Sequence, residues 1–161
     1  MKAAIVTAFL FISFSASGEP LDSCGWLNSW RTCLALINSN LYNVNTTRTP
    51  EGGPYIPAVI EKCSEEGAFT KQSRHIKYVY IPGHPDADSN GFVAFPDIDV
   101  AAERMTFSIL AKGIIAMAQR GVCGAQAMSQ GRYVYVRYQN QDLERFKRGP
   151  NGSITKWRKI E

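Results

Sequence analysis

Apolar residues fall into two helical stripes separated by a long interval of short strands and turns. Leu27, Trp30, Leu34, Ile37 and Leu41 recur at alternating steps of three and four, the a/d rhythm that lines up one face of a helix. This predicts a helix over 23–43, with Ser23 as N-cap and an end where Asn and Thr cluster. Phe107, Leu110, Ile114 and Met117 repeat the rhythm and predict a second helix over 100–120. Asp97 or Asp99 is placed to cap its start and Gly121 to end it. Neither seam is long enough to stand alone. Set against each other, they would bury apolar area worth about 25 cal/mol per Å².

Between the stripes the pattern changes. Pro50, Gly52, Gly53, Pro54 and Pro57 make 45–57 an extended, turn-rich connector. A short strand is expected over 58–62 and a turn over 64–67. A strand over 75–81 pairs with one over 91–95. Pro82, Gly83 and Pro85 stop the first and Pro96 the second, since proline supplies no ladder N–H. Past Gly121, residues 125–131 look like a linker. Residues 132–138 then alternate Tyr133, Tyr135 and Arg137 against Val134, Val136 and Tyr138, a half-buried strand. Further strands are expected over 143–147 and 153–159, the latter with Ile154 and Trp157, around a strong turn at 148–152. The expected fold class is α+β: paired N- and C-terminal helices, coiled-coil-like, with a small β-hairpin section between them and a C-terminal three-stranded β-meander.

Composition adds a compartment. The first residues read as a secretory leader: Lys2, an apolar run over 3–14, and small residues Ala16, Ser17 and Gly18 before Glu19. No other stretch is apolar enough to span a membrane. The mature chain is therefore expected to be periplasmic or secreted, by a cleaved Sec-type signal. The remaining 143 residues, 161 less 18, suit one small domain with a short appendage. Four cysteines, Cys24, Cys33, Cys63 and Cys123, then favour two disulfides. Three pairings are possible. An antiparallel pair of helices would bring Cys24 to Cys123 and leave Cys33 with Cys63. No C-x-x-C spacing suggests zinc, and His75 and His84 are the only histidines a catalytic cysteine could use. Charge is uneven: residues 19–128 carry 9 basic and 11 acidic side chains, whereas 129–161 carry 8 and 3. The tail holds the basicity and could meet an anionic partner.

The most informative stretch is 78–104. Asp86, Asp88, Asn90, Gly91 and Asp97 stand at positions 1, 3, 5, 6 and 12 of an EF-hand-like loop. Pro82 and Pro85 forbid the helix that should precede such a loop, and Asp97 is shorter than the usual bidentate Glu. A solvated hairpin turn accounts for the same residues, so no metal site is expected and these four oxygen-bearing side chains are weak candidates. His84, between Gly83 and Pro85, reads as a capping or solvent residue. No Ser-His-Asp order, phosphate loop or convergent carboxylate pair stands out, so no catalytic residue and no cofactor is expected.

Two blocks carry a resemblance. One runs His84, Pro85, Asp86, Ala87, Asp88, then Asn90-Gly91, an aromatic-Val pair, Pro96 and Asp99-Val100-Ala101. The other runs Asn40, Leu41 and Asn43 into Thr46, Thr47, Arg48, Thr49, Pro50, Glu51, Gly52, Gly53, Pro54 and Tyr55. Together they are similar to the proximal-rod protein family of the bacterial flagellum, the FlgC type, over roughly residues 27–121. The resemblance implies a non-catalytic structural subunit whose N- and C-terminal helices pair and pack with neighbours. The assembly or core seam would be Leu27, Leu34, Ile37, Leu41, Phe107, Leu110, Ile114 and Met117. Its partners would be rod or basal-body subunits, or other copies of itself, with no nucleic acid among them. The domain layout is then a leader over 1–18, a rod-like domain over 19–124 and a basic β-meander over 125–161. The family pattern has no cleaved leader and ends near the second helix. Two further readings follow: an exported binding module holding a partner through its basic meander, and a calcium-binding exported protein.

Overall fold

The computed structural model describes residues 24–73 and 75–160. The expected leader and the expected cap at Ser23 lie outside the described residues. Helix α1 (Cys24–Tyr42) buries Leu27, Cys33, Leu34 and Ile37. A connector with no regular structure, rich in proline, leads to strand β1 (Ala58–Ser64), which pairs antiparallel with β2 (Gly67–Gln72). Strands β3 (Ile76–Tyr80) and β4 (Phe92–Pro96) form a second antiparallel pair, with Tyr80 opposite Phe92 and Ile76 opposite Pro96. Helix α2 (Val100–Gln119) starts where the Asp99 carboxylate accepts the N–H groups of Ala101 and Ala102, each at 3.0 Å. It ends at Gly121, whose φ of 75° is left-handed and so suits a residue with no Cβ. A 3₁₀ turn, Val122–Gly124, leads into β5 (Gln126–Gln130), β6 (Tyr133–Arg137), β7 (Leu143–Arg148) and β8 (Ile154–Ile160). These four form one antiparallel sheet in chain order.

The expected fold class is overturned. The described residues hold two helices and eight strands in three sheets, and beyond α2 the chain is mostly β. The C-terminal sheet has four strands rather than three, because 126–130 is a strand and not a linker. Its sequence, Gln-Ala-Met-Ser-Gln, has little strand preference of its own; pairing with β6 imposes the conformation. Nor do the helices form a coiled-coil pair. Helix α2 buries Ala111, Ile115 and Ala118 beside Phe107, Leu110, Ile114 and Met117, a band too broad for a two-row seam. It packs on α1 and also on β5, β6 and β8. One apolar cluster joins α1 and α2 to Val134, Val136, Tyr138, Phe146 and Ile154 of the sheet region.

One contact sets how closely the helices approach. A Cβ placed on Gly113 of α2 would overlap Cζ3 of the Trp30 ring on α1. Glycine here is a matter of space, since the ring lies against bare backbone.

Candidate functional site

The connector after α1 and the loop between β3 and β4 meet. The connector folds back on itself: Tyr55 N–H donates to Thr46 O at 3.1 Å, and Thr49 N–H to Gly53 O at 2.8 Å. Its base is held by Asn40, which is 1% exposed. The Asn40 amide nitrogen donates to Ala58 O (2.8 Å) and to Glu103 Oε1 on α2 (2.9 Å). Its carbonyl oxygen accepts from Tyr55 Oη and from Ala58 N–H, each at 3.1 Å. All four of its hydrogen-bonding directions are used, as burial of an amide requires. Asn43 adds a brace, donating to Ser39 O (2.9 Å) and accepting from Thr46 Oγ1 (3.1 Å).

The β3–β4 loop is shaped by its own polar side chains. The Asp88 carboxylate accepts from the N–H groups of Asn90 (2.9 Å) and Phe92 (2.8 Å). His84 Nδ1 accepts from Asp86 N–H at 3.0 Å. Gly91 has φ of 82°, and a Cβ there would crowd the Tyr80 ring. The loop thereby presents Asp86 to the connector. Thr47 Oγ1 donates to Asp86 Oδ2 at 2.6 Å and Arg48 forms an ion pair with Asp86 Oδ1. The Thr47 hydrogen bond, aided by the Arg48 guanidinium, holds the Asp86 carboxyl below its ordinary value. Thr47, Arg48, Pro50, Gly52, Gly53, Pro54, Asp86 and Ala94 line an open cleft of about 460 Å³.

Beside this platform the β3–β4 hairpin is exposed. Tyr78 and Tyr80 are 66% and 63% exposed, and Ile76, Val79 and Phe92 are exposed as well. Tyr80 and Phe92 make an edge-to-face pair at 5.4 Å. Ile76, Tyr78 and Tyr80 share one face of β3, with Phe92 across from Tyr80, while Val79 takes the other face.

These features accompany a partial likeness to known proteins. No family model matches the chain. Against the flagellar basal-body rod protein FlgC of Borreliella burgdorferi it is 28% identical over 105 residues, covering 48% of this chain and 69% of that protein. Against FlgC of Salmonella typhimurium it is 34% identical over 81 residues, covering 44% of this chain and 60% of that protein. The value for FlgC of Escherichia coli O6:H1 is 33% over 81 residues, with the same coverage. The chain is similar to flagellar basal-body rod proteins. It spans less than two thirds of the Salmonella and Escherichia proteins.

The structure brings together much of what the two sequence blocks contain. Asn40, Asn43, Thr47, Arg48, Tyr55, His84, Asp86 and Asp88 all make the contacts above. Pro50, Gly52, Gly53 and Pro54 form the connector's tip, Pro85 lies in the turn between His84 and Asp86, and Pro96 ends β4 buried. The four calcium candidates do not converge. Asp86 faces Thr47 and Arg48, Asp88 caps its own turn, Asn90 contributes its N–H there, and Asp97 is exposed beyond β4. Among the described residues no group of three or more His, Cys, Asp or Glu side chains gathers as for a metal, and no helix is long and apolar enough to cross a membrane. The seam residues Leu27, Leu34, Ile37, Phe107, Leu110, Ile114 and Met117 are buried in the shared core, with Leu41 packed against it. Cys24 is bonded to Cys123 and Cys33 to Cys63, with Cα–Cα distances of 5.4 and 6.6 Å.

A second polar cluster joins α1 to the C-terminal sheet. Arg31 on α1 reaches Asp142 (3.1 Å) and the buried Glu144 (3.4 Å), and its guanidinium lies 3.6 Å from the centre of the Tyr138 ring. Tyr138 donates to Glu144 Oε2 at 2.6 Å. Burial, with the Glu144 charge beside it, pushes the Tyr138 hydroxyl well above the ordinary tyrosine range. Arg31 lies more than 100 positions from Asp142 and Glu144 in sequence, and no local pattern signals such a clamp. It fixes α1 to the C-terminal sheet next to a cleft of about 380 Å³ floored by Cys24 and Cys123.

Proposed function

We propose that the chain is a non-catalytic structural protein of the flagellar proximal-rod type that assembles with, or is accessory to, a basal body in the periplasm. One observation carries this reading. The two blocks that resemble the rod family lie some forty residues apart, and they meet at Asp86 through Thr47 and Arg48. They form a single polar platform beside an exposed aromatic hairpin, a surface suited to a protein partner rather than to chemistry. The partial likeness to basal-body rod proteins supports the same class. Two disulfides support export, because such bonds persist in oxidising compartments. In this reading a leader over 1–18 precedes a rod-like domain over 19–124, and the basic sheet of 125–161 is an addition. Rod subunits, or copies of the chain itself, are the partners.

The test is co-purification. The protein carries a C-terminal tag in its native cells, intact basal bodies are isolated, and the mature protein is quantified. It is expected near the stoichiometry of the rod subunits. The variant Tyr78→Ala/Tyr80→Ala is expected to remain folded yet to be depleted from basal bodies at least tenfold. A wild-type protein found soluble in the periplasm or medium and absent from basal bodies would remove the assembly role.

A further inference from the structure

The C-terminal sheet has one face in the core and one face outside it. Strand alternation divides it sharply. Val134, Val136, Glu144 and Phe146 are buried on the inner face. Tyr133, Tyr135 and Arg137 of β6 and Arg145 and Lys147 of β7 take the other side. Register sets Tyr133 opposite Lys147 and Tyr135 opposite Arg145, so each ring has a cation across from it at about 4.5–5.5 Å between Cβ atoms. The Arg145 guanidinium lies 5.3 Å from the centre of the Tyr133 ring. Met128 of β5, 63% exposed, stands opposite Tyr135 and extends the apolar part of the face.

The sequence of the four strands is rich in cations and poor in acids. Glu144 is the single acid in its four strands, and it is turned inward to Tyr138 and Arg31. Like charges gathered on one face repel, and an anionic ligand would offset that repulsion. The two rings, two residues apart on one strand, are separated by about 6.5–7 Å; Tyr133 is exposed, with Arg145 beside its ring, and Tyr135 is half-buried. Arginine supplies the fork that fits a carboxylate. Rings that stack on the C–H faces of sugars, flanked by cations that pair with carboxylates, suit an extended acidic glycan. We propose that this face binds an anionic polysaccharide of carboxylated sugars, independently of any assembly role.

The test uses the full disulfide-bonded protein and defined polyuronate oligosaccharides, with affinity measured by calorimetry across a salt series. Binding is expected at low salt and is expected to weaken steadily as salt rises. Tyr133→Ala/Tyr135→Ala should lose at least tenfold in affinity while retaining the salt slope. Arg145→Gln/Lys147→Gln should lose as much and flatten it. Lys62→Gln/Lys71→Gln, distant surface cations, should bind as wild type. Thermal melts of all variants identify any that fail to fold, and Arg145→Gln alone serves as the milder probe. No binding of polyuronate overturns the proposal. So does equal binding of polyglutamate that ignores the tyrosine substitutions, which would mean charge alone. Tighter binding of an oligothymidylate would overturn it in favour of nucleic acid.

Discussion

Glu103 stands where three segments meet, and its charge state is set by that position. It lies in the first turn of α2 and accepts the Asn40 amide that also holds the connector. Burial pushes its carboxyl above the ordinary glutamate value; the Asn40 hydrogen bond offsets part of this, and nearby Asp99 adds to it. A carboxyl raised in the folded state holds its proton in a window above about 4.5, where the unfolded chain has released it. Its contribution is therefore fully present below that window and is lost as pH rises through the folded value. Glu103→Gln keeps an acceptor oxygen for Asn40 and removes the charge. The variant is expected to melt at or above the wild-type temperature at pH 7, with the gap closing as pH falls below 4.5. Melting curves at pH 4 and 7 decide it. A variant that is less stable at pH 7 would mean that the charge itself is needed.

The helices interact through a ring against a bare backbone. In isolation Gly113→Ala should favour α2 by about 1 kcal/mol through helix propensity. Packed against Trp30, the added methyl has no room, and forcing one into a filled core costs about 1–3 kcal/mol. A net loss of stability is expected, with partial recovery when Trp30→Leu is combined with it. Denaturant titration of the two single variants and the double gives the coupling, and a Gly113→Ala protein more stable than wild type would refute the tight contact. The same elements show what sequence could reveal. The spacing of Leu27, Leu34 and Ile37, and of Phe107, Leu110 and Ile114, located both helices to within a residue or two of their ends, because periodicity is local. It could not show that Ala111, Ile115 and Ala118 also sink into the core, since that depends on a sheet arriving from later in the chain. Strands β2 and β5 escaped for a related reason. Gly-Ala-Phe-Thr-Lys-Gln and Gln-Ala-Met-Ser-Gln are strands only because β1 and β6 pair with them. At the site, Thr47, Arg48 and Asp86 stood out within their motifs, but their meeting point did not. Glu103, Arg31 and Glu144 carried no sequence signal at all.

At the scale of the molecule, α1 is the hub, and both covalent ties begin on it. Cys24 at its first turn reaches Cys123 just beyond α2, closing a span of 99 residues; Cys33 at its middle reaches Cys63 on β1, closing 30. Chain entropy assigns about 4.7 kcal/mol to the longer loop and about 3.6 kcal/mol to the shorter. Their sum is comparable with the whole stability of an ordinary domain, about 5–15 kcal/mol. Cys33 is fully buried and Cys24 is exposed, so simple replacement would mix packing with cross-linking. Measuring each double variant oxidised and reduced removes that ambiguity. The difference within Cys33→Ala/Cys63→Ala isolates the long bridge, and that within Cys24→Ala/Cys123→Ala the short one. The long bridge is expected to contribute about 1 kcal/mol more, and a short bridge that equals or exceeds it would refute a free-chain unfolded state. The fully reduced wild type is expected to be largely unfolded at 37 °C, by circular dichroism and by protease sensitivity. That outcome would tie the platform, the hairpin and the basic sheet to a compartment where disulfides form. A reduced chain that stays folded would free the fold from that requirement and remove the disulfides as an argument for export.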